Sequence, residues 1–214
     1  IAIISGASSL VLFSQGFATA TPLVDSAQAA LFVTGNAVVS ALLATGFLWV
    51  FELFTGITTD QTLLEWADPT RPLLRRLSME APGTYAHTIN VSNLAEAAAN
   101  EIGANGLLCR VGVLYHDVGK MIKPRYFVEN QHDGRNPHDK LKAETSALII
   151  REHVTEGVRL AREEKVPALV IQFILEHHGT QKIGFFYEKA QEEEGPDLDL
   201  ARFTYPGPKP QSKE

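Results

Sequence analysis

The residues of this chain that can do chemistry gather around one adjacent pair, His116-Asp117. An imidazole beside a carboxylate offers one nitrogen and two oxygens to a metal ion. Alone the pair carries little weight, because His next to Asp is common. Its company carries more: His87 lies upstream, His153 downstream, and the doublet His177-His178 follows. Five imidazoles and a carboxylate exceed what one tetrahedral ion takes and suit two divalent ions. Mixed imidazole and carboxylate ligation favours iron or manganese and is compatible with zinc.

Helices must carry these groups. Leu107, Leu108, Val111, Leu114, Tyr115 and Val118 recur at helical spacing, which predicts a core-facing helix over 106–118. The His-Asp pair falls at its end, with Gly119 as a stop and Lys120 one turn beyond the pair. In Pro167–His178 the pairs Leu169/Val170, Phe173/Ile174 and His177/His178 step by four, so the doublet continues a buried stripe. Each ring nitrogen of a buried histidine needs a partner. A metal meets that need for two neighbours more readily than two separate hydrogen-bond sites. A helix over 84–102, closed by Gly103, carries His87, and one over 141–165 carries His153. Residues 124–139 are loop-like, with His132 and His138 expected in solvent. A short helix over 185–194 precedes a Pro-rich polar connector. Nothing alternates with period two, so the soluble part is all-α.

Of the 214 residues, 45% are hydrophobic, but they are unevenly spread. All 19 Lys and Arg residues lie at or after Arg71, and the first acidic residue is Asp25. The net charge of -6 argues against a general nucleic-acid binder, which would carry a basic stripe. The single cysteine, Cys109, excludes a disulfide framework within the chain and is expected to be buried. The first residue is Ile1 and the last ones are a charged run, so the sequence reads as a fragment of a longer protein.

Two N-terminal stretches, about 1–20 and 31–54, are almost wholly apolar, and the second spans roughly 30–36 Å as a helix, enough for a bilayer core. Trp49, Phe51 and Phe54 cluster at its far end, where aromatic rings suit a membrane interface. Positive charge lies only downstream, which places residues from about 56 onward in the cytoplasm and the chain in the cell membrane. The expected organisation is membrane segments over 1–55, a juxtamembrane linker helix over 56–80, a helical soluble domain with the histidines over 81–194 and the connector over 195–214.

The order His, His-Asp, His, His-His is similar to the HD-domain metallohydrolase superfamily. The stretches PLLRRLSMEAPGTYAHTINVSNLAEAAANEIGAN, HDVGK with PRYFVENQ, NPHDKL, IIREHVTEGVRLA, ILEHHGT and FTYPGPKPQSKE resemble, more narrowly, the seven-transmembrane HD phosphodiesterases of the PgpH type. The resemblance runs from about Gly56 to the end. It implies an all-α chain, with N-terminal transmembrane helices followed by a cytoplasmic helical HD bundle that hydrolyses cyclic di-AMP to linear pApA at a two-metal site. His87, His116, Asp117, His153, His177 and His178 would be the ligands, with Asp117 bridging both ions. The family places a further Asp ligand on a helix beyond the connector, and this chain stops at Glu214 before it. The HD-GYP branch is disfavoured, because Gly179-Thr180 follows the doublet and Thr204 precedes Tyr205-Pro206.

Under this reading Asp117 and Lys120 are the catalytic candidates, Lys120 reaching a phosphoryl oxygen. Arg125, Tyr126 and Asn130, in the irregular segment that follows, are the further substrate-binding candidates, able to stack on a base and bond its edge. The implied partners are a cyclic dinucleotide and the lipid bilayer, with a homodimer compatible. The rival is an HD domain that binds a nucleotide and signals through the membrane helices without cleaving it.

Overall fold

The computed structural model describes residues 23–132, 134–195 and 197–213, which fall into two units divided after Ile57. The membrane segment expected over 1–20 lies outside the described residues, as do the side chains of Trp49 and Phe51. In the first unit the described part is one helix, α1 (Leu23–Thr55), after which Gly56 takes a φ of +68° and donates its N–H to Glu52 O. Glycine adopts that left-handed backbone without steric cost, so the helix ends there. Within α1, Ala27–Leu48 is 22 residues long and apolar enough to cross a membrane, about 33 Å at 1.5 Å per residue. None of it is buried against protein, and Leu31, Phe32, Leu42 and Phe47 all stand exposed. The hydroxyls of Thr34 and Thr45 donate to the carbonyls of Ala30 and Ala41 within the helix.

The named elements of the second unit are all helices, and its described residues add one isolated antiparallel bridge between Lys182 and Thr204. Its helices are α2 (Asp60–Trp66), α3 (Pro72–Glu80), α4 (Pro82–Glu101), α5 (Gly106–Tyr115), α6 (Ala143–Glu163), α7 (Ala168–Glu176) and α8 (Gly184–Glu194). Local chemistry sets several starts. Thr59 caps α2 and Asn105 caps α5 through side-chain oxygens that accept from Thr62 N and Leu108 N, while Pro72 and Pro82 stand at first-turn positions. Leu63, Leu73, Leu74 and Leu77 join Val111, Leu114, Tyr115, Val118, Val170 and Ile174 in one buried cluster. The stretch expected as a linker, 56–80, therefore supplies core to the bundle. Tyr115 is fully buried, and its hydroxyl donates to Trp66 O at 2.9 Å. Cys109 is buried, as its apolar neighbours suggest.

A smaller cluster, Ala143, Ala147, Phe186, Ala190 and Phe203, joins α6 and α8 to the C-terminal stretch. The connector is thus less polar in its packing than its prolines suggest. A 3₁₀ turn over Leu200–Phe203 seats Phe203 in the core, and Ile183 N and Tyr205 N donate to Phe203 O and Gln181 O.

The helix expected over 106–118 stops three residues early, at Tyr115, and a 3₁₀ turn over Val118–Ile122 follows the His-Asp pair. Packing explains the break. Gly119 lies so close to α6 that a Cβ there would be 2.5 Å from Gly157 N, 2.8 Å from the His153 carbonyl carbon, and closer still to its oxygen. Its φ is not positive, so close approach rather than a helix stop calls for glycine here.

Candidate metal centre

One device aims three of the histidines. His116, His153 and His177 each set Nδ1 against the carbonyl three residues back, at Val113, Ile150 and Ile174. A carbonyl only accepts, so Nδ1 carries the proton and donates, which in the neutral ring leaves a lone pair on Nε2. For His116 and His177 the accepting carbonyl belongs to the last turn of α5 or α7, where in-helix donors run out.

The Nε2 atoms of His153 and His177 face each other at 3.1 Å, and Asp117 Oδ1 lies 3.4 and 3.7 Å from them. That carboxylate is 3% exposed, and its Oδ1 has no hydrogen-bond partner. Two lone pairs and an anionic oxygen converge here with no donor among them, and a cation satisfies all three at once. Asp117 Oδ2 points the other way, 3.1 Å from His116 Nε2 and 2.8 Å from Lys120 Nζ. The ligand atoms of His87, His116 and Asp117 all lie within 4.8 Å of one another, as do those of His153, His177 and His178. The residues therefore fit two divalent ions, with the carboxylate between the sets.

Burial sets the protonation states. It pushes His177 down to about 3 and His178 down to about 4, the neighbouring histidines adding to the shift, and it lowers His153 as well. These three rings are neutral at pH 7, as ligation requires. Burial would raise Asp117, but the hydrogen bond and charge of His116, with Lys120, hold it well below the usual carboxylate range. Burial likewise opposes a charged His116, and Asp117 outweighs it.

The structure brings all six sequence-predicted ligands together, His87 being the exposed member, with its ring 5.8 Å from that of His116. Lys120 is less free than expected. Its ammonium is shared between Asp117 and Glu129 Oε1 at 3.0 Å, and Glu129 also accepts from Thr84 Oγ1. Glu129 has no counterpart in the sequence reading, since it lies in an irregular segment with no periodicity to mark it. Arg125 and Tyr126 line a cavity of about 480 Å³ with Gln131, Arg135 and Lys140. Asn130 borders it too, but both ends of its buried amide are engaged: Oδ1 accepts from Thr84 N at 3.1 Å and Nδ2 donates to Thr84 Oγ1 at 2.8 Å. It pins the start of α4 to the loop rather than facing a ligand. His132 is exposed as expected, whereas His138 is buried between Tyr126 and Phe186, with Nε2 donating to Tyr126 O. A polar context does not expose a ring that two aromatic neighbours cover.

A helical bundle with a His-Asp turn at the centre of its ligand set is the arrangement of the HD domain, whose family model matches residues 84–205, more than half of the chain. The chain belongs to the HD-domain family. It is 49% identical over 173 residues to cyclic-di-AMP phosphodiesterase PgpH of Listeria monocytogenes serotype 1/2a (strain 10403S), covering 81% of this chain and 24% of that protein. It is 48% identical over 175 residues to the PgpH of Bacillus subtilis (strain 168), covering 82% and 24%. The chain thus spans about a quarter of the length of these relatives. The crystal structure of the L. monocytogenes PgpH HD domain in complex with cyclic-di-AMP superposes with a TM-score of 0.65 at 51% identity, covering 67% of each chain.

Proposed function

We propose that this chain is the hydrolytic part of a membrane-anchored, metal-dependent phosphodiesterase that opens cyclic di-AMP to linear pApA. The observation that carries the reading is the buried Asp117 carboxylate, whose two oxygens face two separate histidine sets and whose Oδ1 has no hydrogen-bond donor. The names of the relatives support the substrate, as does the cyclic-di-AMP complex of the similar HD domain.

In this account His87, His116 and Asp117 would hold one ion, and His153, His177 and His178, with Asp117 between the sets, would hold the other; iron or manganese would suit the donors best. Bound there, the ions supply an activated water as nucleophile and positive charge against the phosphoryl oxygens. The chain's own residues do the rest. The carbonyls of Val113, Ile150 and Ile174 fix the tautomers, so no proton competes at Nε2 of a neutral ring. Lys120, held between Asp117 and Glu129, keeps Asp117 ionised and places a fixed cation beside the reacting phosphate. Arg125 and Tyr126 offer charge and a ring face to the dinucleotide from the neighbouring cavity. The apolar α1 anchors the chain in the cell membrane, with residues from about 56 onward, including the HD domain, in the cytoplasm.

The test compares turnover of cyclic di-AMP and cyclic di-GMP by the purified protein supplied with manganese or ferrous iron. Conversion of cyclic di-AMP to pApA, faster than any cleavage of cyclic di-GMP, is the expected result. Tight binding of cyclic di-AMP without cleavage in either metal would replace the hydrolase with a nucleotide sensor.

A further inference from the structure

His178 is held differently from His116, His153 and His177. Among the described residues no group hydrogen-bonds its ring, and it lacks the carbonyl contact that His116, His153 and His177 share. Instead its ring lies flat on that of Tyr205, with centroids 4.1 Å apart and planes 16° from parallel. Tyr205 is itself fixed. It is 8% exposed, its N–H donates to Gln181 O at 3.0 Å, the adjacent Thr204 bridges to Lys182, and Phe203 sits in the smaller core. The ring therefore cannot swing without disturbing the packed C-terminal stretch.

We propose that Tyr205 is a positioning residue that orients the His178 imidazole toward the metal by stacking, in place of a hydrogen bond. The proposal rests on the metal-binding reading above. A face-on stack suits this task because it fixes the plane of the imidazole while leaving both nitrogens, at the ring edge, free. Its partner His153 meets the same ring edge-on, at 82° and 5.2 Å, so His178 is bounded on its face and at its side. The contact also makes the stretch after α8 part of the site, although it contributes no ligand within the described residues. The hydroxyl has no role in this contact; the ring face does the work. Stacking of this kind corresponds to roughly a 2- to 10-fold effect on an equilibrium.

The experiment measures Co(II) affinity and the visible Co(II) spectrum of the protein, of Tyr205→Leu and of Tyr205→Phe, each with His178 present and with His178→Ala. Tyr205→Leu should weaken Co(II) binding roughly 2- to 10-fold and alter the spectrum, while Tyr205→Phe should match the parent. In the His178→Ala background the Leu change should add nothing. Parent-like affinity and spectrum in Tyr205→Leu would overturn the proposal, as would an equal loss in the His178→Ala background or a loss in Tyr205→Phe. A second measurement covers a Leu variant that fails to fold. In the unmutated protein the carbon-bound ring protons of His178, assigned by their disappearance in His178→Ala, should resonate upfield of an unstacked imidazole under the tyrosine ring current. Unshifted resonances would overturn the stack. Failure of the parent to bind Co(II) at all would instead remove the metal-binding reading.

Discussion

Gly119→Ala is a severe test of how the His-Asp turn is held. The added methyl would lie 2.5 Å from Gly157 N and 2.8 Å from the His153 carbonyl carbon, and closer still to that carbonyl's oxygen, against an ordinary contact of about 3.4 Å or more, so the turn and α6 must separate by more than about 1 Å. Overpacking against side chains costs about 1–3 kcal/mol, and here the obstacle is backbone that cannot rotate away, so the upper end applies. For a domain of this size, about 3 kcal/mol corresponds to a fall in melting temperature of roughly 6–12 °C. The same separation moves His153, on α6, away from Asp117, on the turn, whose atoms now approach to 3.4 Å. Metal affinity should drop roughly 10- to 100-fold, as when a ligand loses its supporting contact. The assay is thermal unfolding by circular dichroism with a parallel Mn(II) titration. Gly184→Ala serves as control, because a Cβ there meets nothing within 4 Å. A melting temperature within about 2 °C of the parent and an unchanged Mn(II) affinity would refute the reasoning.

Other perturbations probe separate parts of the account. Asn130→Ala strands Thr84 N and should cost about 1–3 kcal/mol in denaturant unfolding; an unchanged midpoint would return Asn130 to the role of a free substrate contact. Lys120→Met leaves Glu129 with only the Thr84 hydroxyl and without its ionic partner, and removes a cation from Asp117, so it should destabilise by about 1.5–3 kcal/mol and lower kcat more than it raises KM. A change in KM alone would contradict its placement beside the reacting phosphate. The metal-free protein should lose stability in acid. His177 and His178, at about 3 and 4 when folded, bind protons near pH 6.5 once unfolded, so unfolding takes up protons and stability falls as pH drops from about 7 toward those values. His116 acts in the opposite sense, its contribution being complete below pH 6.5 and lost as pH rises through its elevated folded value, and it therefore blunts the slope. Melting curves between pH 4 and 7.5 in chelator check this, and a flat profile would contradict the buried neutral rings.

Part of the candidate site was legible in the sequence because the spacing of His116, His177 and His178 is tied to helices. His177 and His178 continue a stripe at steps of four that includes the buried Val170 and Ile174, and His116 follows the buried Val111, Leu114 and Tyr115, so periodicity sets these rings at the edge of the core. The limits of that reasoning lie where periodicity stops. Helix α5 ends at Tyr115 because of an approach between Gly119 and α6, a contact 34 or more residues apart in the chain that no local pattern encodes. Glu129 and Asn130 sit in one 3₁₀ turn, Val128–Asn130, where a polar residue reads alike whether it faces solvent or a buried Thr84. Tyr205 lies in a stretch that prolines and charges mark as a connector, yet Phe203 beside it belongs to a core formed with α6 and α8. The linker expectation failed to register Leu63 as core because α2 is only seven residues long, too short for a stripe to declare itself.

The central claim is that the Asp117-centred cluster cleaves a phosphodiester with water. The most direct measurement is hydrolysis of cyclic di-AMP in ¹⁸O-labelled water by the manganese-supplied protein and by Asp117→Ala. The account predicts pApA carrying one labelled oxygen on its terminal phosphate, formed by the parent and not by the variant. Equal cleavage by Asp117→Ala, or a parent that binds cyclic di-AMP and returns it intact, would contradict it.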